Sequence, residues 1–363
     1  MKPIPVGAAV ITLALVTGIA ALAQPTMSVT SIPPKTPAAV KAAIKRLYSE
    51  DPIKRAYAAL DLGKMGSSAV SSAPFLSSML GDGDALVWMP DGRRTSPADE
   101  AGNALVKMGK PAVEYIIRSL KNGNSGARQE SAELLGRLKD ARAIDPLIQT
   151  LDDQDDDVAR ASAEALALYS DPRIVRTLVG MLGREHSYMP DVAERILVDI
   201  GKSAVPELLM ALQSENAVVR MHAAKALGLI KDQRAMEMLL TRLKDPDAVV
   251  VCDSAEALGG FSDPRVVEAL ILVLKTTRDT DEHTIVARIG ASKASANLKD
   301  KRAVEPLIAT LEYANEARKR GAYGWGIPGS DILAEESARA LRETTGQAFG
   351  QDAGKWREWW SRQ

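Results

Sequence analysis

The sequence is poor in the residues that most often carry metal and redox chemistry. Its 363 residues include a single cysteine, Cys252, and three histidines, which excludes an intramolecular disulfide framework and any multi-cysteine zinc site. An excess of one charge is also lacking, because 46 lysines and arginines face 47 aspartates and glutamates, and this balance argues against a strongly basic nucleic-acid binder. Aromatic residues make up only 4%, whereas hydrophobic residues make up 46% and charged residues 26%. Such a composition is that of an ordered, soluble protein rich in helix-forming alanine and leucine.

The first residues predict export. Residues 6–23 carry no charge and follow Lys2, and Ala21 and Ala23 are the small residues that a signal peptidase requires before its cut. We therefore expect residues 1–23 to be a signal peptide cleaved after Ala23, which gives a periplasmic or secreted protein. An uncleaved anchor is the alternative, because a run of 18 residues is just long enough to span a bilayer. Residues 24–36, rich in Pro, Ser and Thr, are expected to form a flexible linker.

A repeat runs through the rest of the chain. A nine-residue block such as AVEYIIRSL, ending at Leu120, recurs with its last leucine at regular intervals. From a weaker first copy at Leu80, successive end points are separated by 40, 31, 31, 30, 31, 31 and 37 residues. Within a block the apolar residues fall at positions 2, 5, 6 and 9, which is the stripe of an amphipathic helix with one buried face. A second helical pattern with small residues precedes each block, so the unit is helix, turn, helix, and such units must stack to bury their stripes.

The turn inside each unit repeats an Asp-x-Arg motif. Aspartate is a good helix N-cap, and proline follows it in two of the turns, where the first helical turn loses nothing by lacking an N–H group. The motif residues are Asp140/Arg142, Asp171/Arg173, Asp232/Arg234, Asp263/Arg265 and Asp300/Arg302.

At these residues the chain resembles the HEAT-repeat family, and in particular the HEAT-like repeats of phycobilisome bilin lyases. The resemblance is clearest over residues 216–243 and implies an all-α fold, an α-solenoid of about eight helix-turn-helix repeats over residues 51–344. It also implies that the Asp-x-Arg residues form a structural ladder between adjacent repeats. The tail resembles that of exported bacterial HEAT-repeat proteins.

Both ends of the stack need a cover for their open apolar faces. Residues 37–50 are expected to form an N-terminal capping helix. Residues 345–363 are expected to form a C-terminal cap, in which large rings do the covering. These rings are Trp356, Trp359 and Trp360.

Residues that could carry chemistry have a structural interpretation that we favour. The acidic run at residues 152–157 suggests calcium, but it lacks the glycine turn and distal glutamate of an EF-hand and precedes a helix whose N-terminus attracts acids. Glu185-His186 and Glu282-His283 resemble, in reversed order, the dipeptides of di-iron HEAT enzymes, yet lie about three repeats apart. His222 is interpreted as a packing or surface residue. No nucleophile motif or phosphate-binding glycine loop is present, so we expect no metal, no cofactor and no catalytic residue.

Two insertions between repeats are the candidate binding sites. Each combines aromatic residues with clustered basic charge on a Gly/Pro-rich loop, a composition typical of interaction hot spots. The alternative is that each tryptophan packs on its own repeat and only orders the loop. The residues are Trp88, Arg93 and Arg94 in the first loop and Arg318, Arg320, Tyr323 and Trp325 in the second.

These patterns predict an exported, non-catalytic scaffold that binds a protein or peptide and has no membrane span after cleavage of the signal peptide. Near-neutral charge disfavours nucleic acid as the partner. A bilin-lyase-like enzyme or chromophore-binding protein is one alternative, and a structural component of the cell envelope is another.

Overall fold

The computed structural model describes residues 27–81, 86–89, 91–184, 188–276, 281–320 and 327–363, and in them the chain is all-α, as predicted. Contacts divide it into two compact units, Met1–Ser170 and Asp171–Gln363. The described helices of the first unit are α1 Ala38–Arg46, α2 Pro52–Met65, α3 Ala73–Ser77, α4 Pro97–Met108, α5 Val113–Asn122, α6 Ser125–Leu138, α7 Ile144–Gln149 and α8 Asp156–Leu166. Those of the second are α9 Pro172–Met181, α10 Met189–Ile200, α11 Val205–Ala211, α12 Ala217–Ile230, α13 Met236–Arg242, α14 Ala248–Leu258, α15 Pro264–Lys275, α16 Asp281–Leu298, α17 Val304–Arg320, α18 Ser330–Thr345 and α19 Ala353–Trp360.

Short 3-10 segments lead into or out of several of these helices, at Val29–Ser31, Gly66–Ser72, Lys110–Ala112, Ala141–Ala143, Thr150–Asp152, Gly201–Ser203, Gln233–Ala235 and Lys301–Ala303. Two short strands, β1 Val87–Trp88 and β2 Arg94–Thr95, pair antiparallel in the insertion before α4.

The junction inside a repeat follows from local chemistry. The first helix of a pair ends in a left-handed residue, Lys139, Lys231 or Lys299, with φ of 50°, 55° and 53°. The next residue is the motif aspartate, whose side chain accepts a hydrogen bond from the N–H two residues later. The chain therefore reverses within a few residues and starts the second helix at a defined angle.

The core lies between the helices of each unit. On α5 the predicted stripe is buried, with Val113, Ile116 and Leu120 at 0% exposure and Ile117 at 8%. Successive first helices approach closely at small residues, because a Cβ atom on Gly228 would lie 2.6 Å from the Cβ of Ala257. This close approach explains why the sequence uses alanine and glycine there and needs few aromatic rings.

The C-terminal aromatic residues form one cluster. Trp356 has 0% exposure, and its ring lies 4.9 Å from that of Phe349 and 6.1 Å from that of Trp359 in edge-to-face geometry. Trp360 lies 5.9 Å from Trp359. The Trp356 indole N–H donates to the Gly350 carbonyl at 2.8 Å.

The helix that carries these tryptophans is also held to the last repeat by charge. Arg357 of α19 forms ion pairs with Glu305 at 2.8 Å and Glu312 at 2.6 Å, both on α17.

At the other end, the described part of the predicted linker contacts the first helices. Lys41 Nζ donates to the Pro34 carbonyl at 3.3 Å, and the Tyr48 hydroxyl donates to the Met27 carbonyl. The predicted signal peptide, residues 1–23, lies outside the described residues. Within the parts of the chain that the structure describes, no helix combines the length and apolar character needed to cross a bilayer.

Candidate functional site

The first edge loop is a β-hairpin that displays a tryptophan. Val87 pairs with Thr95 and Trp88 with Arg94, and the turn closes through Gly92, whose φ of 80° suits glycine. Side chains alternate between the two faces of a strand, so neighbours point in opposite directions. Val87 and Met89 are buried at 5% and 4% exposure, whereas Trp88 is 69% exposed.

The buried face of this hairpin is anchored on α2. Val87 and Met89 form a cluster with Ala56, and Tyr57 and Leu60 pack against it. Trp88 is therefore mostly exposed, and its two apolar neighbours anchor the loop on α2. The exposed face carries Leu86, which is 52% exposed, together with Trp88 and Arg94.

The two arginines of this loop differ in their surroundings. Arg93 Nε donates to Asp91 at 2.7 Å, and its Nη1 lies 3.3 Å from Glu100, whose exposure is 2%. Hydrogen bonds from Arg93 lower the pKa of Asp91. Arg93 thus ties the turn to the start of α4, whereas Arg94 is exposed beside Trp88 across the strand pair.

The second edge loop is described only in part, and Tyr323 and Trp325 lie outside the described residues. Arg318 Nε lies 2.6 Å from Asp331, and its Nη1 donates to Gln351 at 2.8 Å. Arg320 contacts Glu316 at 3.3 Å and lies over the ring of Tyr313 at 5.7 Å. Both arginines are therefore held by neighbours of their own chain.

The Asp-x-Arg residues start the second helices, and several of them also join neighbouring repeats. In Asp140/Arg142, the carboxylate accepts from the Arg142 N–H at 3.1 Å and from its Nε at 2.8 Å, which lowers the pKa of Asp140 to about 2. Arg142 also reaches the preceding pair of helices, at Glu114 (3.3 Å) and the Lys110 carbonyl (2.8 Å). The same aspartate–arginine contact occurs at Asp171/Arg173, Asp232/Arg234, Asp263/Arg265 and Asp300/Arg302.

Contacts with the preceding repeat recur at three more of these arginines. Arg234 donates to the Lys202 carbonyl at 3.1 Å. The other two pair with glutamate side chains of the preceding repeat. Arg265 lies 2.6 Å from Glu237, and Arg302 lies 3.4 Å from Glu268. These contacts are the rungs of a ladder between adjacent repeats.

Arg173 forms the contact with the aspartate of its own turn. It lies at the start of the second unit, and its Nη2 and Nε face the carboxylate of Asp171 at 2.9 Å and 3.2 Å, within the same turn. The side chain of Arg173 is 54% exposed, so this pair is worth little in stability. At the N-terminus of α9, Arg173 therefore makes the same contact with its motif aspartate as the other four arginines do.

A second, buried set of arginine contacts was not predicted. Arg220 Nη2 lies 2.7 Å from Asp245, with side-chain exposures of 8% and 0%, and Nη1 donates to two backbone carbonyls before α12. Arg128 makes the equivalent pair with Asp153 at 2.7 Å. A sequence signal existed, since each arginine lies 25 residues before its aspartate.

This second set accounts for the acidic run at residues 152–157. Asp153 pairs with Arg128, and Asp155 accepts from the Asp157 N–H as the N-cap of α8. Asp157 pairs with Arg160 at 2.8 Å. These carboxylates serve helix capping and ion pairing, which favours the structural interpretation over a calcium site.

The second unit contains a polar cleft of about 510 Å³ on its first helices. Its charged groups are those of Glu194, Lys225, Lys231, Asp253 and Glu256. Burial raises the pKa of Asp253 to about 6, and its carboxylate lies 3.8 Å from Lys225 Nζ. The cleft can recognise polar or charged groups.

The lone cysteine lies next to this cleft but is unsuited to nucleophilic chemistry. Burial raises the pKa of the Cys252 thiol to about 12, so that it stays protonated near neutral pH.

His222 is buried at 5% exposure, and its Nδ1 lies 2.5 Å from Glu194 Oε2. Asp191 lies in the same cluster. Sequence reasoning placed His222 in packing and missed these two acidic neighbours, because they lie on a different repeat. Of the two reversed dipeptides, Glu185-His186 lies outside the described residues.

Comparisons with known proteins agree with this architecture. A family model of HEAT repeats matches residues 97–168, 175–251 and 205–287, about half of the chain. No curated protein sequence matches the chain significantly.

Among solved structures, a mutant form of Kap121p shares 16% identity at a TM-score of 0.57, over 90% of this chain and 40% of Kap121p. The karyopherin Kap121p bound to the SUMO protease Ulp1p shares 15% at a TM-score of 0.57, over 89% of this chain and 39% of the other. Kap121p bound to Ste12p shares 15% at a TM-score of 0.57, over 89% and 38%. The chain thus spans about two fifths of the length of these structures, and the likeness is one of fold, an α-solenoid. With helix pairs stacked in each unit and HEAT repeats matched over half of its length, the chain belongs to the HEAT-repeat family.

Proposed function

We propose that this HEAT-repeat protein is an exported, non-catalytic scaffold that binds a protein or peptide through the exposed face of the hairpin. The observation that carries the proposal is the 69% exposure of Trp88 between two buried neighbours, Val87 and Met89. A large ring held out by an anchored strand pair offers contact area without the cost of ordering a loose loop.

The chemistry of the exposed face indicates the kind of partner. Leu86 and Trp88 offer apolar and aromatic surface, and Arg94 adds a cation that suits a carboxylate. We therefore propose a partner segment that combines an apolar side chain with an acidic one. Kap121p, which has the same fold, is found bound to Ulp1p, Ste12p and Nup53p, so solenoids of this kind do hold protein partners.

Other features support the remaining parts of the proposal. The protonated Cys252 thiol is consistent with a non-catalytic role. The uncharged run at residues 6–23 supports export, with cleavage after Ala23. The consensus over residues 216–243 supports assignment of the repeats to the bilin-lyase type.

A photocrosslinking residue at position 88 tests the binding site. We expect it to capture one protein from envelope extract, whereas the same residue at Ile332, which is 52% exposed on α18, captures none. With that protein purified, Trp88→Ala is expected to weaken binding by tenfold or more, since anchor residues are worth 2 kcal/mol or more, roughly. Ile332→Ala is the matched control. Equal affinity of Trp88→Ala and wild type, with both folded, would exclude the hairpin as the site.

Export has its own test. N-terminal sequencing of the protein from periplasm or medium is expected to begin at Gln24. A protein found in the cytosol with Met1 retained would contradict the proposed export.

A further inference from the structure

Three side chains from two consecutive repeats form a cluster with the donors of a metal site. Asp191 and Glu194 lie one turn apart on α10, and His222 lies on α12. One ligand atom from each, two carboxylate oxygens and an imidazole nitrogen, all lie within 4.8 Å of one another. Around a single ion, donors at about 2.0–2.2 Å from the metal lie roughly 3–4 Å apart. The set is therefore completed when the 2.5 Å contact of His222 with Glu194 opens by roughly 1 Å and the exposed Asp191 side chain rotates towards them.

The three side chains of the cluster differ in how far they are exposed to solvent. The side-chain exposure is 7% for His222 and 16% for Glu194, and Asp191 is exposed. The imidazole and Glu194 are therefore held in place by packing, while the side of Asp191 remains open to water. Such an arrangement fixes two ligands and leaves a coordination position for solvent or an external ligand.

The charges around the cluster favour a cation. Two carboxylates converge on one imidazole, and the next carboxylate along this face, Asp253, is close enough for Glu194 to raise its pKa further. Lys225 lies 3.8 Å from Asp253. Two carboxylates at one site match the charge of a divalent ion.

We propose that Asp191, Glu194 and His222 bind a divalent transition metal ion of the zinc class. One imidazole nitrogen with two carboxylate oxygens is a donor set that zinc accepts, with water in the fourth position. The ion would join α10 to α12 and so clamp two neighbouring repeats. The assignment goes beyond the binding scaffold proposed above and does not depend on the hairpin. It also differs from the sequence expectation, in which His222 is a packing or surface residue.

Calorimetric titration of the tag-free full-length protein with zinc chloride, after removal of metals by a chelator, tests the site. We expect one zinc per chain and a higher unfolding temperature with zinc present. His222→Gln and Asp191→Asn are each expected to weaken zinc binding at least tenfold and to abolish the thermal shift. Asp199→Asn is the matched control, because Asp199 is exposed on the same helix and its substitution changes the charge equally.

Titration with cobalt in place of zinc gives a second readout, the visible absorption of the bound ion. We expect the cobalt bands to intensify with wild-type protein, because a nitrogen ligand joins the ion. We expect no such increase with His222→Gln. Asp191→Asn keeps the test valid if His222→Gln unfolds, because Asp191 is on the surface. Absence of zinc binding at millimolar concentration would overturn the assignment. So would equal affinity of wild type and Asp191→Asn, or an equal loss in Asp199→Asn.

Discussion

The close approach of α14 and α16 predicts a large effect from the smallest possible substitution. Gly290 lies on α16, and a Cβ atom added there would be 2.1 Å from the carbonyl oxygen of Cys252 and 2.7 Å from its Cα. An ordinary van der Waals contact begins near 3.4 Å. Gly290→Ala must therefore push the two helices apart by roughly 1 Å, because the atom in the way is backbone and cannot rotate aside.

Two effects of opposite sign decide the magnitude. Alanine is favoured over glycine inside a helix by about 1 kcal/mol, whereas overpacking a well-packed site costs about 1–3 kcal/mol and sometimes more. Because the overlap is severe, we expect the free energy of unfolding to fall by about 1–2 kcal/mol net. At about 2–4 °C per kcal/mol, the unfolding temperature of the second unit should fall by several degrees.

Gly180→Ala is the control, because a Cβ atom at Gly180, on α9 of the same unit, meets nothing within 4 Å. It should gain about 0.5–1 kcal/mol from helix propensity alone. Urea unfolding followed by circular dichroism measures both variants. Gly290→Ala in a Cys252→Ala background should remain destabilised, since the clash is with backbone. If Gly290→Ala proves as stable as Gly180→Ala, the reasoning from helix contact is refuted.

Three further predictions follow from the charged groups. Asp245→Asn should cost about 3–5 kcal/mol in urea unfolding because it leaves Arg220 buried without its partner, and a loss below 1 kcal/mol would contradict that. Asp263→Asn, at an exposed turn where Asn still caps, should cost about 1 kcal/mol or less, so a loss matching that of Asp245→Asn would argue against the distinction. Burial, together with the charges of Glu133 and Asp99, raises the pKa of Glu130 from 4.5 to about 7. Ionisation of Glu130 therefore destabilises the folded state above pH 7, and this effect disappears below about pH 4.5. Glu130→Gln should therefore be more stable than wild type by roughly 1–3 kcal/mol at pH 8 and equal to it at pH 4, and a difference independent of pH would exclude this cause.

Repeat spacing and the apolar stripe were sufficient to predict the helix pairs, because both are local patterns that recur along the chain. The direction of Trp88 could not be predicted, since Leu86, Val87, Trp88 and Met89 are all apolar and either strand face could have been buried. Packing of Val87 and Met89 on α2 decides it.

The cluster of Asp191, Glu194 and His222 could not be predicted from the sequence, for a different reason. His222 lies 28 residues from Glu194, and only the stacking of α10 and α12 brings them together. The buried pair of Arg220 and Asp245 likewise spans two repeats. Contacts between layers depend on how the helices pack, and no single repeat encodes that.

The ion pair between Arg357 and Glu305 has a consequence for association between molecules. In earlier repeats a glutamate in the first turn of a second helix pairs with an arginine of the following repeat, as Glu237 does with Arg265 at 2.6 Å. Pairing of this kind joins unlike surfaces, so it can continue indefinitely and, between molecules, would grow a filament. Helix α19 offers Arg357 to Glu305 in place of a further repeat. That glutamate is thereby already paired within its own chain, and an arginine of a second molecule would have to displace Arg357 to reach it.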